Sequence, residues 1–232
     1  MHTVKIKINI PESLDEITLG QYQKFFAISK DFDDNEETIF LQQKMVQIFC
    51  NIELSFVAQM RYNDVIDICN KLNNLFAGGD KFIDRFALHG VAFGFIPNLD
   101  DMTFGEYSNL DEYINDFETM HKAMAVMFRP IKKEQTNGKY LIVAYDGTGG
   151  TCEVMKDAPL SVVFGAMVFF WDLGNELLKA TLIYLETIPE VANLVQPDSS
   201  VKSGDGTQVF TRSQMEDLKT LKGRQDFRFT NV

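Results

Sequence analysis

The sequence predicts a predominantly helical α+β fold with a few short strands or hairpins and an extended, polar C-terminal tail. Apolar residues recur with helical spacing over several long stretches of the 232 residues. Shorter runs, such as Lys139–Tyr145, are instead rich in aromatic and β-branched residues, which is typical of strands. After Pro197 the chain becomes polar and contains Gly and Ser, so we expect no packed core there.

The composition indicates a globular protein with a substantial core. The chain is 45% hydrophobic and 24% charged, and it contains 20 Phe and 10 Met. Its net charge of −11 predicts no direct recognition of nucleic acid. The widely spaced Cys50, Cys69 and Cys152 predict reduced core residues of a protein made in a cytoplasm. The N-terminal sequence MHTVKIKINIP lacks the apolar part of a secretory signal, and no membrane span is expected.

The first third of the chain predicts one strand followed by helices. Val4–Ile10 alternates apolar and polar residues as a half-buried strand does, and Pro11 ends it. Helices are predicted from Thr18 to about Lys30, from the acidic run Asp31–Glu37 to about Cys50, near Ser55, and from Asn63 to about Phe76. The buried face of the last helix is predicted to comprise Val65, Ile66, Ile68, Cys69, Leu72 and Leu75.

The following residues predict short strands between two long helices. Residues 81–96 predict a hairpin around His89-Gly90, and a helix is expected from about Leu110 to Phe128, stopped by Arg129-Pro130. The strand Lys139–Tyr145 has two candidate partners, Thr151–Met155 and the stretch after Ile131. Asp157-Ala158-Pro159 begins the most apolar helix, Leu160 to about Thr187, which is expected to be a central core helix or one shared with a neighbouring subunit.

The pattern divides the chain into three regions. Residues 1–30 form an N-terminal strand and capped helix, residues 31–195 a mainly helical body with short strands, and residues 196–232 the polar tail. The tail carries six basic and five acidic side chains, whereas the rest has 16 basic and 28 acidic ones, a net charge of −12. Because such a tail has little apolar surface to bury, we expect it to be mobile in isolation. A neighbouring chain is then the simplest means of ordering it, and packing on its own body is the alternative.

One nonapeptide occurs twice. Leu14–Tyr22 reads LDEITLGQY and Leu99–Tyr107 reads LDDMTFGEY, with five of nine positions identical. Thr18 followed by Gln21, and Thr103 followed by Glu106, match the capping box that begins a helix, and the flanking apolar residues match a hydrophobic staple. Either two well-capped helices resemble each other by chance, or one small unit or one geometry has been reused.

Two groups of residues are candidates for chemistry, and each has a simpler interpretation. Glu118 and His121 have the Glu-x-x-His spacing of one half of a di-iron site, but no second copy exists, so solvent-facing or core-edge residues are expected. The turn YDGTGGT, residues 145–151, could bind phosphate through its backbone N–H groups, but a hairpin tip is the simpler prediction because no Lys and no helix follow directly. We therefore predict no catalytic residue, cofactor site or metal ligand.

Two segments of the chain resemble a known group of proteins. The run FGFIPNLDDMTFGEYSNLDEYINDFETMHKAMAVMFRPI, residues 93–131, and FGAMVFFWDLGNELL within the last helix are similar to proteins of the structural and assembly modules of tailed bacteriophages, especially crAss-like phages. The resemblance covers about the central two thirds of the chain. It carries no catalytic signature and transfers no functional residue.

The resemblance implies a non-enzymatic virion structural protein, such as a tail, neck or portal-proximal component or a packaged cargo protein. Such a protein would be made in the host bacterial cytoplasm and would contact other phage structural proteins, as a homo-oligomer or in repeated copies. One alternative is a cytoplasmic assembly chaperone that is absent from the particle. Another is an enzyme that binds a phosphorylated ligand at the DGTGG turn, with Gly147 and Gly149 in the binding loop.

Overall fold

A computed structural model shows an α+β fold that is mostly helical, as the sequence predicts. The structure describes residues 8–30, 32, 39–78, 81–135, 138–147 and 149–187, with helical side chains described as far as Glu176. Residues 1–165 form one compact unit, and the helical residues from Ala166 onward belong to a second. The tail, residues 196–232, and most of the predicted strand Val4–Ile10 lie outside the described residues; Ile8, Asn9 and Ile10 have no regular secondary structure.

Seven α-helices lie within the described residues. They are α1 (Leu19–Ser29), α2 (Ile39–Phe49), α3 (Leu54–Val57), α4 (Tyr62–Phe76), α5 (Phe104–Tyr113), α6 (Met120–Met127) and α7 (Leu160–Thr187). All the helices predicted before residue 80 are present, as is the last one, but the acidic run Asp31–Glu37 that was predicted to begin α2 lies mostly outside the described residues. In α4, Val65, Ile68, Cys69 and Leu72 are buried, whereas Ile66 and Leu75 are only half-buried. None of the described helices combines the length and apolar character needed to cross a membrane.

Four antiparallel strands form one sheet in the order of the chain. They are β1 (Arg85–Leu88), β2 (Val91–Phe95), β3 (Phe128–Glu134) and β4 (Tyr140–Ile142). The predicted hairpin around His89-Gly90 is confirmed, and both turn residues have positive φ, 50° and 78°, as a two-residue hairpin turn of type I′ requires. Of the two candidate partners for the strand after Lys139, the stretch after Ile131 is the one that pairs, and β3 already begins at Phe128.

The predicted continuous helix from Leu110 to Phe128 is wrong. It is two helices, α5 and α6, separated by the turns of residues 114–119. The Asp116 carboxylate accepts a hydrogen bond from the Glu118 backbone N–H at 2.9 Å, and the Thr119 hydroxyl donates to the Tyr113 carbonyl at 3.0 Å. These side chains satisfy backbone groups that would otherwise continue the helix. The predicted end of the helix is nearly correct, since α6 ends at Met127, and Arg129 and Pro130 then lie within β3.

Aromatic side chains dominate the core of the first unit. The Tyr22 ring packs against Phe76, Phe117 and Phe164, with centroid distances of 5.1–5.7 Å. A second cluster consists of side chains from the sheet, in which the centroid of the Phe128 ring lies 5.3 Å from those of both Phe86 and Phe95. Both clusters join residues that are distant in the chain, so these Phe side chains belong to the core. Met120, Met124, Met127 and Met155 are also fully buried.

The cysteines are free thiols, but not all of them are core residues. Cys50 and Cys69 are buried as predicted, and burial raises the pKa of the Cys50 thiol to about 11. The prediction is wrong for Cys152, which is half-buried because it lies in the turn that follows the glycine-rich segment.

Candidate functional site

Both copies of the nonapeptide fold in the same way. Each begins with a 3-10 turn, Leu14–Glu16 or Leu99–Asp101, continues with two extended residues, and then begins a helix. In the first copy the Thr18 N–H donates to Gln21 Oε1 at 2.9 Å, and in the second the Thr103 N–H donates to Glu106 Oε2 at 2.6 Å. The reciprocal bonds to the Thr hydroxyls are both 3.2 Å, so the two predicted capping boxes are confirmed.

A later segment of the same unit covers the first copy. The Leu19 N–H donates to the Ala158 carbonyl at 2.9 Å, and the Leu160 N–H donates to the Ile17 carbonyl at 2.8 Å, forming an antiparallel bridge between Thr18 and Pro159. Ile17 and Leu19 are completely buried. This bridge satisfies a backbone N–H that the first turn of a helix leaves without a helical partner. The Ser161 hydroxyl adds a hydrogen bond to the Asp15 carboxylate.

The second copy is uncovered at the corresponding positions. Phe104, which corresponds to the buried Leu19, is 85% exposed and is the most exposed large apolar side chain among the described residues. Tyr107, which corresponds to the half-buried Tyr22, is 45% exposed. Within the described residues, no backbone hydrogen bond is made by the Phe104 N–H or the Met102 carbonyl. One local structure therefore carries a covered apolar surface in the first copy and an open one in the second.

Side-chain contacts anchor the second copy to Arg129 of β3 and to Tyr145. The Arg129 Nη2 lies 2.5 Å from Glu106 Oε1, and these side chains are only 11% and 4% exposed. The Tyr145 ring lies beneath the Arg129 guanidinium, with 5.7 Å to the ring centroid, and its hydroxyl bonds to Asn109 on α5 at 2.5 Å. Because these charged and polar contacts hold α5, Phe104 is presented from a fixed position.

Gly20 and Gly105 occupy the same position in the two copies, so they give a matched test of whether each copy is covered. A Cβ at Gly20 would lie 3.1 Å from the Lys156 carbonyl oxygen, whereas at Gly105 the nearest atom would be 3.9 Å away, on Tyr145. We expect Gly105→Ala to raise the free energy of unfolding by about 0.4–1 kcal/mol. Gly20→Ala should lower it by about 1–3 kcal/mol because it overpacks a close backbone contact. Urea unfolding of both variants, followed by circular dichroism, measures the difference; equal effects would contradict it.

Glu118 and His121 do not converge on a common site. Glu118 precedes α6 and pairs with Lys30 at the surface, whereas the His121 side chain is 8% exposed. His121 Nδ1 accepts from Gln23 Nε2 at 3.0 Å if the ring carries its proton on Nε2, and Nε2 lies 3.8 Å from Glu153 Oε1. No group of three His, Cys, Asp or Glu side chains that could hold a metal occurs within the described ranges.

His121 makes the stability of the fold depend on pH. Burial, assisted by Lys156, lowers the pKa of this imidazole, although Glu153 opposes the shift. The unfolded chain, with an ordinary His pKa of about 6.5, then binds protons more readily than the folded one. The stabilisation from neutral His121 is complete above that value and is lost as the pH falls toward and through the lowered folded pKa.

We therefore expect the urea midpoint of the wild-type chain to fall as the pH is lowered from about 7.5 to about 5.5. His121→Asn is the matched variant, because its amide oxygen can still accept from Gln23 but does not titrate. The variant should show a smaller fall over the same pH interval. An identical pH dependence in both chains would show that other groups cause it.

The prediction that YDGTGGT is a hairpin tip is wrong. The strand before it, β4, pairs with β3, and the residues after the turn form further turns and a 3-10 helix, Val154–Asp157. Gly147 adopts a positive φ of 103°, and neither Gly147 nor Gly149 has an atom close to the position of a Cβ. The segment connects β4 to residues 156–161, which cover the first nonapeptide. Phosphate binding at this turn, the alternative interpretation, is not tested by this geometry.

Comparison with known proteins adds no relative. No protein family, curated protein or solved structure matches this chain. What the fold and the site define is therefore a class only: a mostly helical α+β protein with one duplicated, capped unit whose second copy exposes apolar side chains. Sequence reasoning located this unit but did not single out Phe104, because the sequence pattern is the same in both copies.

Proposed function

We propose that this chain is a non-enzymatic structural protein of a tailed phage particle that acts through protein–protein contacts. The observation that carries the proposal is the 85% exposure of Phe104 at the start of a well-capped and anchored helix. A large apolar side chain in a fixed position offers binding energy at low conformational cost, since few rotatable bonds are immobilised. The resemblance to phage structural and assembly proteins supports the choice of a virion over other assemblies.

Edge strand β4 adds further apolar surface. Leu141 in β4 is 52% exposed and Val143, directly after the strand, is 43% exposed. Among the described residues, β3 is the only strand that pairs with β4. Exposed edge strands and exposed aromatic residues are both used in protein association. Together they support an assembly component, in which repeated copies multiply weak individual contacts.

Quantitative mass spectrometry of purified particles tests the proposal. We expect the chain in a fixed copy number relative to the major capsid protein, and retained after washing at high salt, because an apolar contact is insensitive to ionic screening. Absence from the particle, with the protein abundant in infected-cell lysate, would overturn the virion assignment in favour of an assembly chaperone.

A further inference from the structure

We infer that the start of α5 binds a short segment of a partner protein, in the way that residues 156–161 of this chain bind the start of α1. The inference deepens the proposed function and rests on it in taking the partner to be a protein. The inference is based on a comparison within this chain. The two nonapeptides have the same capping geometry, but only the first is bridged by another segment, which we call its occupant.

The groups that hold the occupant on the first copy have counterparts on the second. The Leu19 N–H and the Ile17 carbonyl correspond to the Phe104 N–H and the Met102 carbonyl, which are the two backbone groups of the bridge. Asp15, which accepts from the Ser161 hydroxyl, corresponds to the exposed Asp100. The second copy thus offers a donor, an acceptor and a carboxylate in the same order along the chain.

The occupant of the first copy defines the chemistry of the partner. A small residue, Ala158, supplies the carbonyl, and Pro159 occupies the one position of the bridge where no N–H is needed. Leu160 supplies the N–H and an apolar side chain that is completely buried, and a Ser follows. The partner segment is therefore a small residue and a Pro that form the bridge, followed by an aliphatic residue and Ser or Thr that begin a helix.

The difference between Leu19 and Phe104 favours an occupant from outside the described fold. Leu19 is completely buried by the intramolecular segment, whereas Phe104 has a larger apolar surface and 85% of it is exposed. Burying an aromatic side chain removes a large apolar surface from water, which adds to the affinity of a short bridge. Tyr107 extends the same surface along α5.

A peptide with the sequence of residues 154–162, VMKDAPLSV, is the probe for this site. Titrated into the isotopically labelled full-length chain, it should shift the amide NMR signals of Phe104, Gly105 and Tyr107. A control peptide with both Ala158 and Leu160 replaced by Asp should not. Shifts confined to Leu19 and Gly20 would show displacement of the internal segment and would overturn the inference, as would no shift at all.

Two variants test whether the second copy binds in the manner of the first. Phe104→Asp removes the apolar contact, and Gly105→Ala places a Cβ where the first copy brings the Lys156 backbone close. Each should weaken peptide binding by about tenfold or more, while thermal melting shows that the fold is kept. Tyr62→Asp, at another exposed aromatic residue, is the control and should bind normally. Unchanged binding by both variants would overturn the inference.

The outcomes of the two proposals are separable. Peptide binding at Phe104 together with absence from purified particles would remove the virion assignment and leave the docking site in place. Presence in the particle without any peptide-induced shift at Phe104 would keep the virion assignment and remove the docking site. The contact in the particle would then have to be made by another surface such as β4.

Discussion

Replacing Arg129 by Met is expected to destabilise the protein by about 3–5 kcal/mol, because it leaves the Glu106 carboxylate buried without its charged partner. Glu106 is 4% exposed at its side chain, so water cannot replace the lost contact. Urea unfolding at neutral pH measures the loss. A cost below about 1 kcal/mol would show that the pair is effectively solvated.

The double variant Glu106→Gln with Arg129→Met separates the charge from the packing. A Gln at this position can keep the capping box, as Gln21 does in the first copy, where its Oε1 accepts from the Thr18 N–H. Arg129 Nε makes no hydrogen bond within the described part of the chain, so the ion pair itself is incompletely satisfied. We expect the double variant to recover most of the stability, since a neutral replacement of a buried pair is often close to neutral in free energy.

Replacing Phe128 by Ala is expected to cost about 3–5 kcal/mol of unfolding free energy. Phe128 is completely buried, and its ring contacts Phe86 and Phe95 at the point where α6 becomes β3. The truncation leaves a cavity in the layer that joins the sheet to the helices. The urea midpoint should fall sharply while the far-ultraviolet circular dichroism in water stays close to that of the wild type.

Phe104→Ala is the matched control, because it deletes the same atoms at a site that is 85% exposed. Its free energy of unfolding should differ from that of the wild type by no more than about 0.5 kcal/mol. Similar costs for the two truncations would mean that Phe104 is buried in solution, and would weaken the interpretation of α5 as a binding surface.

Local signals predicted the parts of this fold that short-range physics controls. The capping boxes at Thr18 and Thr103 were predictable because both hydrogen-bonding partners lie within one helical turn. The hairpin at His89-Gly90 was predictable because two residues alone set its geometry. The apolar spacing of α4 likewise predicted its four buried residues.

Longer-range contacts decided the rest. The α6 pattern runs without interruption into Phe128, and only pairing with Phe95 and ring packing against Phe86 make that residue the start of a strand. The sequence likewise left two candidate partners for β4, and only the tertiary structure shows that β3 rather than Thr151–Met155 pairs with it.

By itself, the sequence determined that one unit occurs twice and how each copy begins its helix. Whether a copy is covered was decided only in the tertiary structure. Ala158 and Leu160 reach the first copy across more than a hundred residues of chain, and within the described residues no equivalent segment bridges the second. Identical local hydrogen bonds can therefore bury Leu19 and expose Phe104, since burial depends on what the rest of the chain brings to a surface.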